Sequence, residues 1–289
     1  MKDDRPLFGI AYFCVAILLT AIVDAISKYL TREIHALQIA WGYFVGIAFC
    51  VLCYAIVRRL PGRAVFGTAR MPLQVLRAAL LVMTISTLFA GLKYIPLADV
   101  TAITFSAPLI IAALSGPLLG EKVGMHRWGA VVVGMAGVLI VIRPGGDVVQ
   151  WAVLLPLATA FGFATFQMAT RRLASTEPTF VTLFYTSAGS ALMSSVLVVF
   201  YWMPLDLRQA AYLFGIGVLG AGAHFCFIRS FEEAEASFLA PFNYTKIVWV
   251  IGLGYLMFGD FPAPHVLLGS TIIITSGLYV LMRERRQGV

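Results

Sequence analysis

The sequence predicts an all-α integral membrane protein in which ten transmembrane helices form two inverted five-helix repeats around a central cavity. Three observations predict it: a shortage of charge, ten long apolar runs, and a faint internal repeat. Of 289 residues, 60% are hydrophobic and only 12% charged. A soluble domain needs roughly a quarter of its residues charged to cover its surface. Half that supply leaves an exterior suited to lipid. The net charge of +7 does not point to a nucleic acid, because Lys and Arg are strewn through the short gaps between apolar runs. No nucleic-acid partner is expected; the expected partners are the lipid bilayer and a small-molecule substrate.

A helix that spans a bilayer needs ~20 mostly apolar residues. Ten segments meet that length, at about Leu7–Tyr29, Ala36–Val57, Pro72–Lys93, Ala98–Leu119, Arg127–Ile142, Trp151–Arg171, Thr179–Trp202, Ala210–Phe231, Ala236–Phe258 and Ala263–Met282. Turn formers and charge separate them, as in Arg58-Arg59-Leu60-Pro61-Gly62-Arg63 and Arg143-Pro144-Gly145-Gly146. Gly and Pro within the runs are tolerated in membranes, where neighbouring helices satisfy freed backbone groups. The first run continues to Tyr29 without a small-x-small cleavage site, so a retained span is expected rather than a cleaved leader.

Lys and Arg set the orientation. With ten spans, fifteen of the 21 basic residues, Arg77 among them, fall on the side of the N-terminus. Lys28, Arg32, Lys93, Arg143 and Arg208 fall on the other, and Lys246 lies within a span. The positive-inside rule then predicts a bacterial inner membrane protein with both termini cytoplasmic.

The internal repeat appears when Ala98–Arg143 is laid over Ala236–Arg283. Ala98 meets Ala236, Ala102 meets Ala240, Gly116 meets Gly254, Gly120-Glu121 meets Gly259-Asp260, and Gly137 meets Gly277. Residues 1–145 and 146–289 would then be two five-span units. An odd span number turns the second copy upside down, and inverted repeats enclosing a midplane site are a recurrent transporter architecture.

Ionisable groups at bilayer depth are costly and face a cavity or a partner. Lys246 is the clearest, and on a helix Asn243, Lys246 and Trp249 share a face that offers an amide, a cation and an aromatic wall. Asp24 and Lys28 also share a face and can pair with each other. The sharper reading puts Asp24 and Lys246 on one cavity, reading the two charges of a zwitterion; the plainer one makes them a structural ion pair. Tyr43, Tyr185, Tyr244 and Gln167 are candidate cavity polar groups. His224 is a candidate too, although a lone His more often packs than shuttles protons. Glu121, Asp260 and Lys28 are candidate gating residues at span ends.

Other chemistry finds little support. The cysteines Cys14, Cys50, Cys53 and Cys226 lie in apolar runs and behave as small hydrophobes. Cys50-x-x-Cys53 lacks a second pair or a His cluster, so neither metal nor cofactor is expected. Gly215-x-Gly217-x-x-Gly220 matches a dinucleotide fingerprint but sits in an apolar span without a strand before it, and close helix packing explains it better. No zinc-protease or serine-hydrolase motif is present, so an intramembrane enzyme is disfavoured.

Several short motifs carry a family likeness: Leu97-Ala98-Asp99-Val100-Thr101-Ala102, the Pro108 after it, and the closing Gly120-Glu121. Ala234-Glu235-Ala236-Ser237-Phe238-Leu239-Ala240-Pro241 repeats the pattern in the second half, closed by Gly259-Asp260. Asp24-Ala25-x-x-Lys28 is a further element. In these the chain resembles the drug/metabolite transporter (DMT) superfamily and its EamA-type ten-helix carriers, departing only in Asp260 where Glu is usual. The resemblance implies a secondary transporter that moves a small metabolite by alternating access. Export of amino acids, aromatic ones included, is the preferred expectation. Uptake of a riboflavin-like, nucleoside-like or S-adenosylmethionine-like solute is the alternative. A proton is admissible as coupling ion, and the carrier would work as a monomer or a homodimer.

Overall fold

The computed structural model describes residues 6–119, 124–143, 150–174, 176–234 and 239–287, and every regular element among them is helical. The α-helices are α1 (Pro6–Leu30), α2 (Ala36–Val57), the short α3 (Gly62–Phe66), α4 (Met71–Tyr94), α5 (Leu97–Thr104) and α6 (Ala107–Leu119). They continue with α7 (Met125–Ile142), α8 (Leu154–Ala174), α9 (Thr179–Val198), α10 (Leu207–Glu233), α11 (Lys246–Phe258) and α12 (Pro264–Gln287). A helix thus occupies each of the ten apolar segments.

Among the described residues, seven helical stretches are long and apolar enough to cross a membrane, and Trp128–Ile142 and Pro264–Val280 are shorter apolar helices. Their outward faces carry Phe49, Val57, Val132, Leu192, Phe200 and Leu256 exposed. A continuous apolar exterior of this kind would aggregate in water. In a bilayer it is the solvated surface. The chain is a multi-pass membrane protein.

Local chemistry sets the helix ends. His35 caps α2, its Nδ1 accepting from the Leu37 N–H at 3.3 Å. Asp206 and Gln209 close a capping box on α10, which satisfies N–H groups that the first turn leaves without a helical partner. Gly259, at φ 71°, ends α11 in the left-handed region that a glycine enters without strain.

Two segments read as continuous spans are interrupted instead. The fourth breaks at Phe105-Ser106 between α5 and α6. Pro108 has no N–H to bond four residues back, and the Ser106 hydroxyl donates to the Ile103 carbonyl at 2.7 Å. The ninth runs as a 3-10 turn over Ala240–Thr245, opened by Pro241, before α11 begins. The two breaks meet: the rings of Phe105 and Tyr244 pack edge to face, centroids 5.3 Å apart.

Helix packing follows a regular pattern. α1 packs on α10 and α4 on α8; α2 packs on α10 and α4 on α9; α1 packs on α11, while α5 and α6 pack on α8. α2 and α9 pack on each other, as do α7 and α12. We call the membrane face where α1 begins proximal and the face where it ends distal.

Candidate functional site

The centre of the molecule is organised by α1 and by the broken ninth segment. Asp24, on α1, takes Lys246, the first residue of α11, at 2.6 Å from Oδ2 to Nζ. The Asp24 side chain is 7% exposed and that of Lys246 20%. Because the preceding residues form a 3-10 turn, the lysine stands at a helix start in the interior rather than in the middle of an unbroken span. One turn further along α1, Lys28 takes Asp260 Oδ2 at 2.8 Å and also lies over the Phe258 ring, 5.0 Å from its centroid. Asp24 and Lys28 therefore do not pair with each other. Each is directed across to the second half of the chain, and together they tie α1 to both ends of α11.

The surroundings of this pair are aromatic. Tyr43, buried on α2, lies within electrostatic reach of Asp24 and packs edge to face on Phe89 at 6.0 Å. Tyr244 is buried, and its hydroxyl makes no hydrogen bond within the described residues. A Cβ at Gly277 would overlap that hydroxyl, so only glycine admits the ring there. Asn243 is half-buried in the 3-10 turn beside Tyr244.

Other candidates stand apart. Trp249 is 40% exposed, and the aromatic groups at the helix breaks are Phe105 and Tyr244 instead. Gln167 is exposed on α8. The Tyr185 hydroxyl donates to the Phe66 carbonyl at 3.0 Å and fastens α9 to α3 at the proximal face. His224 lines a cleft of about 800 Å³ between α1, α2, α9 and α10. That cleft also holds Tyr12, Tyr54, Arg58, Phe180 and Arg229, which places its mouth at the proximal face. Its deep end reaches Ile47, one helical turn from Tyr43. Glu121 lies outside the described residues.

The distal face is closed by further ties. Arg208 donates to Glu33 at 2.7 Å and to the Tyr29 hydroxyl at 3.0 Å, and Gln209 donates to Glu33 at 2.9 Å. Gln38 exchanges two hydrogen bonds with the Met203 backbone, 2.8 and 3.1 Å. The bonds from Gln209 and Arg208 hold the Glu33 carboxyl below the usual carboxylate range. A depressed carboxylate stabilises the fold above its unfolded pKa, and that contribution is lost as pH falls through the folded value. Thermal melts taken from neutral to acidic pH should therefore fall further for the wild type than for Glu33→Gln. Parallel curves would show that the clamp adds nothing.

Two residues carry more than the sequence suggested. Arg77, counted there among the charges flanking the spans, sits inside α4. Its Nε donates to Thr170 at 2.7 Å, Nη1 donates to the Thr182 carbonyl at 3.3 Å and to Thr186, and the guanidinium lies 4.4 Å from the Phe166 ring centroid. The signal was its place six residues after Met71, on a run that then stays apolar. Asp99, on α5, is 8% exposed, a carboxyl buried near the distal end of its span. It was visible only as part of a motif.

The profile of the EamA-like transporter family matches residues 7–143 and 150–282. The S-adenosylmethionine uptake transporter of Rickettsia conorii is 26% identical over 97% of this chain and 94% of that protein. The riboflavin transporter of Vibrio cholerae is 28% identical over 98% and 96%. The pseudopaline exporter CntI of Pseudomonas aeruginosa is 23% identical over 96% of each. A solved crystal structure, 18% identical, superposes with a TM-score of 0.65 over 97% of this chain and 99% of its own, and shares the fold. A helical membrane chain with a buried ion pair at paired helix breaks, matched in both halves by one family profile, belongs to the EamA-like transporter family of the DMT superfamily.

Proposed function

We propose that this transporter takes up a small solute whose zwitterionic head is read by Asp24 and Lys246 and whose aromatic body lies against Tyr43, Phe105 and Tyr244. The observation that carries this reading is the 2.6 Å ion pair in the interior, one carboxylate and one ammonium that a zwitterion complements charge for charge. An S-adenosylmethionine-like solute fits first, having an amino-acid head and an aromatic base, and the Rickettsia relatives bear that name. Aromatic amino acids share the same head. Riboflavin-like solutes lack it and rank behind. Uptake replaces the export that the sequence favoured, following those same relatives.

Alternating access would come from residues 1–145 and 146–289 acting as inverted repeats. Support comes from the packing pattern. Exchanging the first five spans for the last five turns the α1–α10 contact into α8–α4, and α2–α10 into α9–α4, while α2–α9 and α7–α12 map onto themselves. Both breaks occupy the same place in their half, and broken helices form substrate sites in inverted-repeat carriers. Lys28–Asp260 would be the distal latch, and Glu121 the acid of a proximal one. The charge bias assigns the proximal face to the cytoplasm, in an inner membrane.

Counterflow in proteoliposomes tests the reading. Vesicles loaded with unlabelled S-adenosylmethionine should accumulate the labelled compound, with phenylalanine competing weakly and riboflavin not at all. Accumulation of riboflavin alone would reject the zwitterion reading.

A further inference from the structure

α9 and α10 both pack on α2 but hardly touch each other, and the proximal cleft of about 800 Å³ lies in the gap. On α2 its wall is the stripe Ile47, Val51, Tyr54 and Arg58, spaced so as to share one helix face. Phe49, Leu52 and Ile56, the exposed apolar residues of that stretch, occupy the opposite face. The cleft is therefore turned away from the acyl chains and opens to water at the proximal face.

Its chemistry is consistent from wall to wall. Arg58 ends α2, and its guanidinium lies over the Tyr54 ring, 5.7 Å from the centroid. Tyr54 in turn meets the Phe180 ring of α9 at 6.0 Å. On α10 the same order recurs, Phe225 followed one turn later by Arg229. None of the described lining residues is acidic. Arg58 takes part in none of the ion pairs among the described residues.

Aromatic walls stack on a planar ring, and guanidinium groups pair with phosphate or carboxylate. A recess of this volume is of the size that encloses a small ligand. We propose that the proximal cleft binds a free anionic solute, a planar ring that bears a phosphate or a carboxylate. The ring lies on Tyr54, Phe180 and Phe225, and the anion meets Arg58 and Arg229. A phospholipid headgroup offers the same phosphate, but its acyl chains would have to leave the lipid and pass behind α2. The site differs in sign from the Asp24–Lys246 pair, which suits a zwitterion. Seated in the cleft, the solute holds α9 and α10 apart and slows the carrier from the proximal side. That consequence, unlike the site, rests on the alternating-access reading above.

The probe is 1-naphthyl phosphate, titrated calorimetrically into the full chain in phosphatidylcholine nanodiscs, with empty nanodiscs as the blank. It should bind with a Kd below about 1 mM. 1-Naphthol, which lacks the charge, and inorganic phosphate, which lacks the ring, should each bind at least about tenfold more weakly. Arg58→Gln with Arg229→Gln should weaken the probe at least about tenfold. Arg59→Gln with Arg63→Gln removes as much charge from positions off the cleft and should leave the affinity unchanged. Equal affinity in the two double variants overturns the site, as does inorganic phosphate binding as tightly as the ring ester. Phosphatidylglycerol is then added to the nanodiscs at about 0.3 M salt, which screens its surface charge. Loss of the probe under that condition makes the cleft a lipid site and overturns the free solute as occupant. If the cleft double variant does not fold, Arg58→Gln alone should weaken the probe at least about threefold, and unchanged affinity overturns the site. S-adenosylmethionine counterflow is measured on the same preparation. Its failure while the probe still binds falls on the transport reading and leaves the site standing.

Discussion

Lys246→Met and Asp24→Asn are each expected to melt far below the wild type and to lose S-adenosylmethionine transport. Each leaves one buried charge without its counter-charge, which costs about 3–5 kcal/mol for a buried pair. The exposures of 7% and 20% put this pair in that class rather than among surface bridges worth under about 1 kcal/mol. The neighbouring pair offers a contrast. Asp260→Asn removes a partner that is 41% exposed and should cost much less, because solvent screens what remains. Melts in detergent would check the order. Equal losses at Asp24 and Asp260 would mean that the interior pair is hydrated like the outer one.

A second large effect is expected at the crossing of α2 and α10. A Cβ built on Gly217 falls 2.6 Å from the Gly46 Cα, and one built on Gly46 meets Gly217 at the same distance. Backbone cannot swing aside as a side chain can. Gly217→Leu should therefore reach the upper end of the usual overpacking range, about 3 kcal/mol. For a chain of this size that is a fall of roughly 6–12 °C in melting temperature. Gly215→Ala is the control two residues away, where an added Cβ meets nothing within 4 Å and the change should stay within about 0.5 kcal/mol. A Gly217→Leu variant as stable as this control would contradict the close crossing. The same pair of sites explains the nucleotide-like glycine motif, since Gly217 and Gly220 serve the packing of α10 against α2 while Gly215 serves neither packing nor phosphate.

The positions of the helices were legible because lipid-facing length and scarcity of charge are written along the chain itself. The two breaks were not, although Pro108 and Pro241 were in plain view. Proline inside a membrane helix is compatible with a tolerated kink or a full interruption, and only the partners of the freed carbonyls distinguish them. Lys246 stood out because an ammonium in an apolar run is costly wherever it lies. Its partner required knowing which face of α1 meets α11. Arg77 was misassigned because the positive-inside count treats any arginine near a span end as a loop charge, whereas this one finds Thr170, Thr182 and Thr186 within the helices. Trp249 shows the limit of spacing on its own. Spacing of three suggested one face for Asn243, Lys246 and Trp249, but the chain changes from 3-10 to α geometry at Lys246, and the tryptophan is left 40% exposed.

Removing both charges at once separates the two roles open to the central pair. Asp24→Asn with Lys246→Met leaves no stranded charge, so most of the stability lost in the single variants should return. If the pair reads the substrate head, labelled S-adenosylmethionine should still fail to bind to this refolded double variant, with affinity weakened at least about a hundredfold. Near-wild-type affinity in the stable double variant would show that the charges only hold the helices together, and would contradict the account.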